Sequence, residues 1–340
     1  MPTAILWLCA FSIGTTSLAD EDLRPQTGIQ AANRKLGRGI NLGNALEAPK
    51  EGAWGVTLKA TYFKSIKQAG FDSVRLPVKW SGHALDDAPY TIDAKIAERV
   101  DWAIEQALVN KLNIIVNVHH YDEVYTDPDK HLPRLEAIWK QLGERYRDRP
   151  ASVYFELLNE PRDKLKGEKW NAAIPMLLAA IRKTNPTRPV IVGPSEWNGI
   201  RGLGALKLPD DGNLILTVHS YDPFQFTHQG ASFVKGAAEW KGRTWTGTKE
   251  ERAAIRTSLE KAAAWAKEHR VPVFLGEFGA YQEADMESRA RWTRFVVTEA
   301  ERLDFSWAYW EFCAGFGAYD PKAQTWREPL KAALVGERAR

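Results

Sequence analysis

Eight short apolar runs, separated by stretches of helical patterning, set the strongest limit on what this sequence can fold into. They fall at 39–43, 73–78, 114–118, 152–158, 190–193, 214–218, 273–276 and 306–309. Each is a continuous hydrophobic run rather than a polar/apolar alternation, as expected of parallel strands covered on both faces. Amphipathic segments lie between them, among others at 57–69, 93–108, 132–147, 168–183, 248–268 and 285–303. Asp93 and Thr248 are placed as N-caps for two of these helices. Eight β/α units in about 300 residues predict one closed (β/α)8 barrel, an α/β TIM barrel.

The ends and the composition narrow the setting. Residues 4–14 form an apolar run followed by small residues up to Ala19, with charge beginning at Asp20, so 1–19 read as a secretory signal. That run is too short to span a bilayer. The expectation is a secreted chain, extracellular or periplasmic, whose 20–340 form one barrel domain with no appended module. Two cysteines are present and one, Cys9, lies in the signal segment. Cys313 is then left alone, without a disulfide, and reads as a small buried hydrophobe. A net charge of +3 with no basic run argues against a nucleic-acid partner.

Two strings carry the chemistry: FELLNEP at 155–161 and FLGEFGAY at 274–281. Each reads as an apolar strand running out into a glutamate, Glu160 or Glu277, at a strand-to-loop junction. A strand-end glutamate is most often a salt bridge or a cap. Here Pro161 blocks continuation of the ladder, and Glu277 leaves a hydrophobic strand into a glycine turn. Strands four and seven lie across the barrel, so both carboxylates face the central opening from the C-terminal rim. Paired carboxylates in that position are the equipment for cutting a glycosidic bond.

The rest of the rim supports the pair. Arg75 lies within an apolar strand and needs a carboxylate partner, with Glu277 the first candidate and Glu156 the alternative. His119 and His120 are adjacent, so regular strand geometry lets only one reach the mouth. His219 and Tyr221 are spaced i, i+2 and share a face. Asn159 can hydrogen-bond a sugar hydroxyl, and Trp310 ends strand eight as a flat plate for a pyranose ring. Of the 14 tryptophans, Trp54, Trp80, Trp197 and Trp245 follow strands and are expected to line a groove. Trp102, Trp139, Trp170, Trp265 and Trp292 fall within helices and are expected to pack against the barrel.

With these motifs in place, NEP after strand four, GEFG after strand seven, and R-x-P, HH and H-x-Y between, the chain resembles glycoside hydrolase family 5. The resemblance runs from GRGINLGNALEAPKEGAWGV to YWEFCAGFGAYD and is nearest to single-domain endo-β-1,4-glucanases that also accept mannan. It implies Glu160 as acid/base and Glu277 as nucleophile. Arg75, His119, Asn159, His219, Tyr221 and Trp310 match further active-site positions. Asn44, Glu47, His120 and His228 match substrate-contact positions, and Phe233 stands where relatives can carry tryptophan. The resemblance implies no cofactor or metal, a monomer, and a β-glucan or mannan substrate.

For proton order, Arg75 and Tyr221 are expected to keep Glu277 charged, while that anion raises Glu160. Two other classes fit parts of the pattern. A metal-dependent amidohydrolase would use His119, His120, His219 and Glu277 as ligands, but no His-x-His closes the first strand. A carbohydrate-binding barrel without activity would usually have lost one of the carboxylates.

Overall fold

A computed structural model describes residues 28–336. The 1–19 segment read as a signal lies outside the described residues. All eight anticipated strands are present: β1 Arg38–Asn41, β2 Ser73–Leu76, β3 Asn113–Asn117, β4 Val153–Glu156, β5 Val190–Val192, β6 Leu214–His219, β7 Val273–Glu277 and β8 Ser306–Tyr309. They pair in parallel in chain order and close through β8 on β1. Strands β1, β2 and β4 each end two residues earlier than expected, β4 at Glu156 rather than 158. The chain there leaves the ladder and bends toward Glu160, whose φ is +48°.

The helices are α1 Gly28–Leu36, α2 Ala60–Ala69, α3 Ala94–Val109, α4 Asp122–Thr126, α5 Pro128–Arg145, α6 Glu168–Arg182, α7 Phe224–Thr227, α8 Lys249–His269, α9 Met286–Arg302 and α10 Glu328–Val335. Asp93 caps α3 by accepting from the Lys95 N–H, and Thr248 and Glu251 form a capping box on α8. The β5–β6 connection carries a 3-10 turn, Ile200–Ala205, in place of an α-helix. Gly199, Gly202 and Gly204 fall within or beside that turn, and glycine weakens helix formation by about 1 kcal/mol each. No described helix is long and apolar enough to cross a membrane.

The barrel interior is layered. Helix α1, not anticipated from the sequence, seals the N-terminal end: its Ile29 and Leu36 pack on Ile115, Tyr154, Ile191, Ile215, Phe274 and Ala308. Two residues further along β3, β4 and β6, on the same inward face, come Asn117, Glu156 and Thr217. With Asn41 and Arg75 they make a buried polar layer above the apolar floor. The helical tryptophans pack as expected, Trp139, Trp170 and Trp292 fully and Trp102 and Trp265 partly. Trp139, Trp170 and Trp292 also donate their indole N–H to the carbonyls of Leu157, Gly193 and Asp222, fastening helices to the rim.

Candidate active site

The site begins at Arg75, on β2, whose side chain is fully buried. All five guanidinium N–H groups have acceptors. Nε and Nη2 grip both oxygens of Glu156 at 2.7 Å, and Nη2 also reaches Asn159 Oδ1 at 2.8 Å. Nη1 reaches Asn41 Oδ1 and Glu277 Oε1, each at 2.8 Å. Both partners left open by the sequence are therefore engaged. Burial disfavours the charged arginine, but Glu156 first and Glu277 second hold its proton more firmly than usual.

Glu277 is the last residue of β7, and its Oε2 accepts from the Tyr221 hydroxyl at 2.9 Å. Glu160 lies beyond β4, and its Oε1 is 2.9 Å from His219 Nδ1, which is itself 3.6 Å from Glu277 Oε2. One oxygen of each carboxylate and the imidazole nitrogen lie within 4.8 Å of one another. Gly276 makes room for this: a Cβ there would come 2.5 Å from Thr217 Oγ1 and 3.2 Å from His219 Nε2.

The proton order differs from the sequence expectation. Burial raises Glu277, and the charge of Glu160 adds to it, against His219, Arg75 and Tyr221. Burial pushes Glu160 up as well, but the hydrogen bond and charge of His219, with Arg162 and Arg75, hold it below the usual carboxyl range. Arg75 divides its charge between Glu156 and Glu277, whereas His219 lies nearer Glu160. In the free site the two directions therefore run opposite to the anticipated order, although carboxyls this close share their proton as a pair.

Both adjacent histidines reach the mouth, which corrects the expectation that one would. Strand β3 ends at Asn117, and His120 takes φ +48°, so alternation no longer applies. His119 lies parallel to Trp310, centroids 5.8 Å apart and planes 7° apart, and His120 sits edge-on to His119 and to Trp54. Burial, with His120 and Arg75 beside it, keeps His119 well below the ordinary histidine value, as a neutral ring. Trp54 and Trp197 are exposed rim aromatics. Trp80 and Trp245 are not: both are fully buried, Trp80 donating to the Asn117 carbonyl, and neither lines a groove.

Glu47 is not a surface contact. It is fully buried, and its oxygens accept the backbone N–H groups of Asn44 and Ala45. These bonds hold the backbone at Asn44, where φ is +64°. Burial pushes its carboxyl up to about 8. His228 is buried, stacked on Phe224 at 4.1 Å and edge-on to Tyr221 at 4.9 Å, and burial lowers it to about 4. Phe233 is exposed nearby.

Two further residues carried no sequence signal. Asn198, buried, faces His219 Nε2 at 3.4 Å, on a turn where Glu196, Trp197 and Asn198 all take positive φ. Glu311 follows Trp310, accepts the backbone N–H groups of Cys313, Ala314 and Phe316, and is raised to about 7 by burial. Glu160, His219 and Glu277 are also the set that could hold a cation, though Arg75 and Tyr221 already engage both oxygens of Glu277.

Two carboxylates joined through an imidazole at the C-terminal mouth of a barrel define a site of the glycosidase type. The family model for cellulase (glycosyl hydrolase family 5) matches residues 37–315, and the chain belongs to that family. It is 37% identical over 278 residues to Endoglucanase H of Acetivibrio thermocellus, covering 82% of this chain but 30% of that protein. A solved hyperthermophilic endo-β-1,4-glucanase in complex with substrate is 48% identical, with TM-score 0.89, covering 91% of this chain and all but 1% of that one. Thermotoga maritima Cel5A in complex with mannotriose is 45% identical, with TM-score 0.89, covering 90% of this chain and 100% of that one.

Proposed function

We propose that the chain is an endo-acting glycoside hydrolase that cleaves internal β-1,4-glucosidic bonds of cellulose and related β-glucans with net retention. Glu277 is the nucleophile and Glu160 the acid/base. The observation that carries the reading is the close carboxylate pair: one oxygen of each lies within 4.8 Å. Retaining sites hold their carboxyls about 5–5.5 Å apart and inverting sites about 6.5–9.5 Å. Export of the chain and action as a monomer belong to the same reading.

Glu277 is held for attack by Arg75 on one oxygen and Tyr221 on the other. It displaces the aglycone at the anomeric carbon while Glu160 protonates the leaving oxygen. Glu160 then deprotonates a water that releases the glycosyl-enzyme. His219 Nδ1, 2.9 Å from Glu160 Oε1, fixes the direction of that carboxyl. Asn159 Oδ1 is bound to Arg75, which leaves its amide NH2 for the sugar 2-hydroxyl. His119 on Trp310 supplies an aromatic floor. Mannan is the second reading, supported by the mannotriose complex of the Thermotoga maritima protein.

The test is azide rescue. Glu160→Ala is expected to lose hydrolysis of carboxymethyl-cellulose and, with azide and an activated cellobioside, to give the β-glycosyl azide. Glu277→Ala is expected to give only the α-azide. Hydrolysis surviving either substitution removes the assignment. Comparing kcat/KM on barley glucan and glucomannan separates the two substrate readings.

A further inference from the structure

We propose that Tyr125 and Arg162 form a clamp that positions the general acid Glu160, a role resting on the reading of Glu160 given above. Glu160 has φ +48°, a left-handed conformation that a residue with a long side chain rarely adopts and that neighbouring structure must hold. The carbonyls on either side of its Cα are both tied down. The Tyr125 hydroxyl, on α4, donates to the Asn159 carbonyl at 2.5 Å. Arg162 Nη1 donates to the carbonyl of Glu160 itself at 3.2 Å. Fixing both peptide planes fixes the direction of the Cα–Cβ bond between them, and so the path of the carboxyl toward His219.

The two clamp residues also support each other. The Arg162 guanidinium lies 3.9 Å from the centre of the Tyr125 ring. Its other end is held by Asp122 Oδ1 at 3.0 Å, and the Lys164 N–H donates to the Tyr125 carbonyl at 3.0 Å. Tyr125 is fully buried, so its hydroxyl has few acceptors to choose among. Arg162 adds a charge effect. Around Glu160 stand His219 from β6, Glu277 from β7, Arg75 from β2, His120 beyond β3, and Arg162. Among these, Arg162 is a cation outside the ring of proton-exchanging groups, and its charge favours the ionised form of Glu160.

The test uses the full-length enzyme and two substrates. Phenyl β-cellobioside has a poor leaving group that needs the acid, and 2,4-dinitrophenyl β-cellobioside does not. Tyr125→Phe and Arg162→Gln are each expected to lower kcat/KM about 10- to 100-fold on the phenyl substrate, the scale of a small misplacement of a general acid. On the dinitrophenyl substrate each is expected to change kcat/KM no more than about twofold. Loss of folded protein lowers both substrates equally, so the ratio is protected from it. Arg162→Gln should also move the alkaline limb of the pH profile upward, because removing a cation raises Glu160. Tyr125→Phe should leave that limb in place, and Arg162→Lys should return it. Equal losses on both substrates, or none, overturn the clamp. Glu160→Ala is run alongside: if it fails to discriminate between the two substrates, the reading of Glu160 fails rather than the clamp.

Discussion

Glu156 and Glu277 both bind Arg75, yet substituting each by glutamine should move stability in different directions. Glu156 is fully buried and takes two hydrogen bonds from a guanidinium with no exposure of its own. Glu156→Gln leaves Arg75 with Glu277 as its remaining carboxylate, one whose ionised form is already disfavoured. Breaking a buried ion pair from one side costs about 3–5 kcal/mol. For a domain of this size 1 kcal/mol corresponds to about 2 °C, so the melting temperature should fall by roughly 6–10 °C. Glu277→Gln removes a carboxylate whose folded-state pKa is raised, so at pH 7 the native protein loses an unfavourable charge. Arg75 keeps both bonds to Glu156. That variant should melt no lower than wild type at pH 7 while losing activity, and its advantage should shrink as pH falls toward 4.5. Differential scanning calorimetry at pH 4.5 and 7 reads both. A Glu156→Gln cost under about 1 kcal/mol, or a larger one for Glu277→Gln, would refute this account of Arg75.

Other expectations follow from the same contacts. Glu47 and Glu311 have folded pKa values raised to about 8 and about 7, so their stabilising protonation is complete below about pH 4.5 and is lost as pH rises through those values. Melting temperature should therefore decline between pH 5 and 8, and Glu47→Gln or Glu311→Gln should flatten that decline. Gly276→Ala should lower kcat by pushing His219 off the carboxylates, with His219 chemical shifts moving in the NMR spectrum. Trp310→Ala, which removes the plate under His119, should raise KM for oligosaccharides more than it lowers kcat, as initial-rate kinetics would show. Exhaustive chelation should leave hydrolysis intact, and loss of activity restored by a metal would point instead to the Glu160, His219 and Glu277 cation set.

The frame of the protein was readable because period and burial wrote it. The eight apolar runs are strands, and Asp93 and Thr248 cap the helices expected of them. What escaped was set by backbone turns and by depth. Gly193-Pro194 and Asn198-Gly199 mark a turn around Glu196–Trp197–Asn198, but not which side chain it turns inward, so nothing in the letters brought Asn198 to His219. His120 broke the alternation rule because its φ is positive. Trp80 and Trp245 follow strands as Trp54 and Trp197 do, and only packing separates the buried pair from the exposed one. Glu47 looks like any loop acid until its two backbone donors are seen. Helix α1 was missed because its nine residues hold only Ile29 and Leu36 as large apolar side chains.

The plugged base of the barrel has a consequence for traffic. With Ile29 and Leu36 closing the far end and the Arg75 layer packed above them, the described barrel is sealed beneath the reacting groups, and their entrance is the C-terminal mouth. On the proposed reading, a polysaccharide lying across that entrance would isolate the cluster with whatever hydrogen count it holds at that instant. Water for the second half-reaction must then arrive by the doorway the departing sugar has vacated.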